Sequence, residues 1–238
     1  LRPLKNMHKI AHYDDMKALS AQIKAWGLDF GFQQVGISGI DLGQHGQHLQ
    51  NWLDKGFHGD LAYMAAHGAK RWQPELLVEN TQSIISVRMD YLTHKPAPRT
   101  VPHYPQQGVI ARYALGRDYH KTLRKRLQKF AEKISLELGD RGYRAFVDSA
   151  PVLERAIAEQ AGLGWIGKNT MLINKQAGSF FFLGELFTNL PLIADEPTSH
   201  HCGSCQACLT ICPTQAIVAP YQLDARLCIA YLTIEYTG

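Results

Sequence analysis

The chain has 238 residues, 45% of them hydrophobic and 19% charged, with a formal net charge of +4. This is the composition of a globular protein with one sizeable core, or a core plus a small module, and it excludes a low-complexity chain. The mild basic excess permits a polyanionic partner without demanding one.

No apolar run approaches the ~20 residues that span a bilayer. The run Phe180 to Leu183 is strand-sized, and the opening Leu1-Arg2-Pro3-Leu4-Lys5 lacks the apolar stretch of a secretory signal. A cytoplasmic, monomeric protein without membrane association is expected. All five cysteines lie after residue 200, an odd and clustered set that points to metal ligands in a reducing compartment rather than to disulfides.

In chain order, Met16, Leu19, Ile23 and Trp26 recur at helical spacing, and Gly27 reads as the stop. Gln34 to Ile37 is strand-like, and Leu49, Trp52 and Leu53 give a short helix closed at Gly56. A loop rich in glycine, histidine and aromatics runs from Phe57 to Trp72, Pro74 opens a helical turn, and Ser83 to Val87 reads as a buried strand. Thr93 to Gln107 holds four prolines and reads as an irregular loop. Val109 to Tyr113 returns as a strand. Tyr119, Leu123, Leu127, Phe130, Ile134 and Leu138 then mark the clearest helix of the chain.

Tyr143 to Val147 reads as a strand, and Pro151 as the start of a helix ending near Gly162. Met171 to Asn174 and Ser179 to Leu183, joined by four residues including Gly178, predict a hairpin. Asp195 to Thr198 reads as a linker. The expected architecture is α/β (α+β): a domain over residues 1–194, then a ferredoxin-like iron–sulfur module over 195–238.

The module rests on Cys202-x2-Cys205-x2-Cys208-x3-Cys212-Pro213. Thiolates are soft, charged donors suited to iron, and the short gaps let one loop wrap several of them round a cluster. Pro213 keeps the chain at Cys212 from continuing as a helix. The alternatives are unligated surface thiols or a zinc knuckle, with His200 and His201 beside Cys202, although zinc sites usually pair two C-x2-C units or add histidines at fixed spacing. Cys228 is a fifth candidate ligand. Two complete cubanes need more thiolates than five, so the chain reads as a fragment.

The sequence resembles the epoxyqueuosine reductase family of tRNA queuosine biosynthesis. The resemblance rests on the blocks Gly56 to Met64, Lys70-Arg71, Arg112 to His120, Val147 to Arg155, Gly162 to Thr170, the cysteine segment, and Leu227 to Glu235. It implies a cobalamin-binding domain and two 4Fe-4S clusters feeding electrons to cobalt. The substrate implied is epoxyqueuosine at the wobble position of a tRNA anticodon stem-loop, with an external low-potential electron donor. Family members continue into a second cysteine segment and a helical repeat domain that this sequence does not contain.

Asp148 has two readings: a helix-capping carboxylate, or, from the resemblance, the proton donor to the epoxide oxygen. The resemblance also implies cobalamin contacts at Arg71, Ala111, Asp148, Leu172, Leu183 and Ala230, and cluster ligation by Cys202, Cys205, Cys208, Cys212 and Cys228. From position alone, Leu172 and Leu183 would be core. Lys121, Arg124, Lys125, Arg126, Lys129 and Lys133 crowd one side of the long helix, as a solvated face or a phosphate-binding stripe. Asp118-x-His120 opens a near match to a mutase-type cobalamin signature, but the closing glycine is replaced by Leu123, so His120 is not expected to ligate cobalt. Rival readings are a cobalamin-dependent reductive dehalogenase and a non-catalytic iron–sulfur electron carrier.

Overall fold

The computed structural model describes residues 13–92, 106, 110–139 and 142–236. In chain order its elements are α1 (Tyr13–Asp29), β1 (Gln34–Ser38), α2 (His45–Asp54), α3 (Ala62–Ala65), α4 (Pro74–Leu77), β2 (Ser83–Asp90), α5 (Tyr119–Leu138), β3 (Tyr143–Phe146) and α6 (Glu154–Gln160). There follow β4 (Trp165–Ile166), β5 (Leu172–Ile173), β6 (Phe181–Thr188), α7 (Ala207–Ile211), β7 (Ile217–Ala219) and β8 (Gln222–Leu223). Single 3-10 turns span Gly68–Arg71 and Arg112–Ala114, so the expected loop from Phe57 to Trp72 carries two short helical turns.

Four strands form one sheet in the order β1-β2-β6-β3, with every pairing antiparallel. The α/β (α+β) expectation holds. One face is sealed by α1 and α5: Ile23, Leu123, Leu127, Phe130 and Ile134 pack on Val35, Ile37, Ile85, Val87 and Leu186. The opposite face receives α6, where Ile157 meets Ile84, Phe146 and Phe187. Alternate residues of each strand feed the two layers, as the pleat requires.

Two glycines set how closely the layers approach. A Cβ on Gly36 would lie 2.0 Å from the Ala161 carbonyl oxygen, so only glycine lets the end of α6 rest on β1. A Cβ on Gly27 would meet Val35 Cγ2 at 2.5 Å. Gly27 is therefore a packing residue inside α1, which continues to Asp29 instead of stopping there.

The expected hairpin is not formed. β5 pairs with β4, and only the bridge Asn174–Gly178 closes the following turn. β6 instead runs on to Thr188 and occupies the sheet centre between β2 and β3. From Gly184 to Thr188 it is buried throughout, and a central position pairs both of its backbone edges. The strand expected at Val109–Tyr113 is also absent among the described residues, because Arg112–Ala114 is a 3-10 turn. Thr93 to Gln107 lies outside the described residues except position 106. Helix α6 starts at Glu154, three residues beyond Pro151.

The segment read as a linker is tied down. Asp195 accepts from Lys24 Nζ at 2.5 Å and from Ile37 N at 2.9 Å, and its own amide donates to Ile37 O. The cysteine segment then folds back. Lys168 Nζ donates to the carbonyls of Gly203 and Cys205, and Trp52 Nε1 donates to Leu223 O. The Tyr231 hydroxyl donates to Asp60 Oδ2 at 3.1 Å and accepts from the Asp60 amide at 3.0 Å.

Candidate functional site

Asp148 sits in the bend between β3 and α6 with φ +56, a left-handed conformation uncommon for a side-chain-bearing residue. The bend is fixed at both ends. Ser149 N donates to Val147 O, Arg124 Nη2 donates to Ser149 Oγ, and the Asp148 amide donates to Glu154 Oε1 at 2.7 Å. The carboxylate is turned out toward solvent, with 54% of the side chain accessible.

That orientation removes the capping interpretation. Leu153 is the residue before α6, and no side chain caps it. Asp148 Oδ2 instead accepts from the Tyr119 hydroxyl at 2.5 Å and lies 2.9 Å from His120 Nε2. Tyr119 and His120 open α5, whose preceding residue Asp118 accepts from the His120 amide at 3.0 Å. The other ring nitrogen of His120 is 3.2 Å from Asp118 Oδ1. One imidazole thus bridges two carboxylates. Burial and the bond to Asp148 push the Tyr119 phenol well above its ordinary value, so it stays a neutral donor.

An aromatic ladder leads to this acid. The Phe182 and Tyr119 rings stack with centroids 3.9 Å apart and only 4° between planes, and Tyr119 stacks on His120 at 3.9 Å. Tyr91 packs 4.7 Å from Phe182, and Phe180 lies 6.1 Å from Tyr91. Such a ladder offers flat apolar surface to a planar ligand beside a proton-carrying group.

The expected cofactor residues fall in different settings. Arg71 is 7% exposed, and its guanidinium donates to Ala66 O at 3.2 Å and to Tyr63 O. Burial lowers its pKa, while the neighbouring Tyr63 raises it. Tyr63 in turn lies within electrostatic reach of Glu235 and Asp148, so Arg71, Tyr63, Asp148 and Glu235 gather on one side of the molecule. Ala111 is exposed beside its 3-10 turn, and Ala230 is exposed at the start of a π-turn over Tyr231–Glu235. Leu172 is buried in a small cluster with Ala158, Ala161 and Leu163, against which Leu183 packs.

The basic stripe is divided. Arg124 reaches Ser149, Arg126 donates to Gly31 O, and Lys133 pairs with Glu137. Lys121 lies 3.7 Å from Asp118. Only part of the stripe is thus left for phosphate.

In the cysteine segment, Cys205 N closes a turn on Cys202 O, and Cys208 rides on α7. The helix ends at Ile211, with Cys212 extended before Pro213, as the proline dictates. Burial opposes ionisation of Cys212, but the amides of Ile217, Ala216 and Thr214 and the Thr214 hydroxyl draw its thiol below the usual value. Such donors suit a cluster-bound thiolate. Cys228 follows the turn Ala225–Leu227. No disulfide forms among the five thiols.

A family model described as "Epoxyqueuosine reductase QueG, DUF1730" matches residues 71–149, and one described as "4Fe-4S double cluster binding domain" matches 201–238. An epoxyqueuosine reductase of Pseudomonas aeruginosa is 60% identical over 225 residues, covering 94% of this chain and 62% of the relative. The Escherichia coli relative is 53% identical, with 94% and 59% covered. The chain therefore spans about three fifths of the length of these relatives.

Among solved structures, an epoxyqueuosine reductase with an epoxyqueuosine-modified tRNA-Tyr stem loop matches with a TM-score of 0.82 at 30% identity, covering 91% of this chain and 57% of that one. A Bacillus subtilis epoxyqueuosine reductase, with its catalytic aspartate loop swung out of the active site, matches at 0.78 and 29% identity, covering 91% and 57%. The resemblance expected from the sequence holds, and the chain carries a 4Fe-4S binding region.

Proposed function

We propose that this chain is the cofactor-binding and catalytic portion of an epoxyqueuosine reductase, which removes the epoxide oxygen of epoxyqueuosine in tRNA to give queuosine. The observation that carries this reading is the Asp148 carboxylate, turned outward beside Tyr119 and His120 at the end of an aromatic ladder. It lies within the region matched by the reductase family model.

Cobalamin, when bound, would supply the cobalt nucleophile and, through the clusters and a low-potential donor, the electrons that open the carbon–oxygen bond. The oxygen leaves both carbons as water, which takes two electrons and two protons; Asp148 delivers the first proton as the ring opens, and the second comes from solvent. Tyr119 and His120 both lie on Asp148 Oδ2, so they orient that oxygen, and His120 offers a route for its reprotonation from the solvent side. The flat rings of Phe182, Tyr119 and Tyr91 and the polar groups beside Asp148 are of the chemical kind that suits an amide-rimmed macrocycle. Arg71, Ala111, Leu172, Leu183 and Ala230 are assigned with Asp148 to its binding. Ala111 and Ala230 are accessible for this, whereas buried Leu172 would contribute through its backbone. Cys202, Cys205, Cys208, Cys212 and Cys228 are assigned to the clusters.

The wobble nucleotide must leave the anticodon stack to reach Asp148. By analogy with the Bacillus subtilis neighbour, the loop carrying Asp148 has a second, withdrawn position. The test is anaerobic incubation of the full-length, cobalamin-loaded protein with reductant and an epoxyqueuosine-containing stem loop, followed by nucleoside mass spectrometry. Loss of one oxygen from the modified nucleoside is expected. No conversion, together with no spectral change on adding cobalamin, would overturn the assignment.

A further inference from the structure

Beneath the Asp148 loop lies a second pair of acids that the proposed reaction does not use. Glu185 sits in the centre of β6, 0% exposed, directly across from Ser86 on β2 and Phe146 on β3. The Ser86 hydroxyl has no hydrogen-bond partner, and the Glu185 carboxyl makes no well-aligned bond, with only the Glu154 carboxyl within side-chain hydrogen-bonding reach. Leaving such groups unmatched is costly, and that cost is tolerated on the α6 face of the sheet, below the site. Glu154, the first residue of α6, stands close enough to Glu185 for each to act on the other electrically.

We infer that Glu154 is a positioning residue: its carboxylate accepts from the Asp148 amide at 2.7 Å and latches the loop in the arrangement that presents Asp148 to Tyr119 and His120. The inference rests on the reading of Asp148 as the acid. A latch has a role here because the Asp148 backbone is held at φ +56, away from the region that most residues prefer.

Tyr119 lies within electrostatic reach of Glu154, and Tyr63 within reach of Asp148. Glu154 faces Asp148 above, Glu185 below and Arg155 on its own helix. Asp148 in turn faces Tyr119 and His120 from α5, and Arg124 holds Ser149. Burial pushes the Glu154 carboxyl up to about 7, against the pull of the Asp148 amide, and the Asp148 charge adds to the rise. Burial and the neighbouring Glu154 charge hold Glu185 well above the carboxylate range. Around neutral pH the pair therefore keeps a proton. An ionised carboxylate accepts an amide hydrogen bond more strongly than a neutral acid does, so the latch tightens as pH rises through the Glu154 transition.

The test is nuclear magnetic resonance of the Asp148 amide in the full-length protein without added cobalamin, followed from pH 6 to 8 (a range on the order of one unit either side of the transition). The wild-type signal should move downfield and gain exchange protection beyond the intrinsic pH effect. Glu154→Gln keeps an acceptor but cannot titrate, so the amide should stay protected while its pH response disappears. Glu154→Ala should lose about tenfold in protection and lower kcat with KM little changed, and Glu154→Gln should restore kcat. An Asp148 amide that titrates alike in wild type and Glu154→Gln overturns the latch, and so does one equally protected in Glu154→Ala. A latch seen in a protein that converts no epoxyqueuosine would instead sink the reductase assignment alone.

Discussion

The two faces of the central sheet are built differently. Under α1 and α5 the packing is apolar: Ile23, Leu123, Leu127, Phe130, Ile85, Val87 and Leu186 exclude water, and Gly184 lets Leu127 come within 3.3 Å of where a Cβ would stand. Under α6 the apolar layer is interrupted by Ser86 and Glu185, and the helix begins with an acid whose carboxylate serves the loop above it. The first face holds the fold together, and the second gives up part of that stability to hold a site. The α5 helix joins them, because its middle belongs to the core and its first two residues touch Asp148.

The sharpest way to break this division is Asp148→Asn in the full-length protein. With the side chain exposed and not capping α6, folding should be unaffected while turnover falls roughly 10²–10⁴-fold, the usual contribution of a general acid. Rapid-quench conversion assays read this directly. On the opposite face, Leu127→Ala removes a fully buried side chain and should cost about 2–5 kcal/mol in denaturant unfolding, with activity per folded molecule preserved.

Tyr119→Phe keeps the stack on Phe182 but deletes the donor to Asp148. A hydrogen bond to a charged group contributes about 1.5–3 kcal/mol, so kcat should fall about tenfold or more, with cobalamin affinity nearly unchanged in calorimetry.

The smallest effect is on pH-dependent stability. The folded-state pKa values of Glu185 and Glu154 are raised, so the native state binds more protons than the unfolded chain above the ordinary carboxylate range. Their contribution is full at acid pH and is lost as pH rises through the folded values. Glu185→Gln should therefore gain Tm relative to wild type at pH 8 and little at pH 5, by roughly 2–4 °C for each kcal/mol recovered. Equal shifts at both pH values would show that Glu185 does not titrate as described.

How much was legible from the sequence follows the same division. The apolar face was read well: α5 has the bounds that its spacing predicts, because five core residues repeat at helical intervals. The site face was read poorly, for identifiable reasons. Gly184-Glu185 looks like the end of a strand, since neither a glycine nor an acid signals a buried centre. Their meaning depends on Leu127 and Glu154, which no local window contains.

The misassigned hairpin has the same origin, because β6 finds its partners in β2 and β3 rather than in its neighbour. Asp148 was singled out through a family block. Tyr119 and His120 belong to another of the family blocks, but their convergence on one oxygen spans 29 and 28 residues of chain. The cysteine segment is legible as an iron–sulfur motif because four of its five cysteines lie close together in sequence, and Pro213 follows the end of α7 as expected.

The central claim is that the Asp148 loop serves chemistry and the core under the middle of α5 serves stability. Its most direct test measures deoxygenation per folded molecule and unfolding free energy in the same preparations of full-length wild type, Asp148→Asn and Leu127→Ala. The account predicts that Asp148→Asn loses activity at unchanged stability, and that Leu127→Ala loses stability at unchanged activity per folded molecule. Parallel loss of both quantities in Asp148→Asn would contradict it.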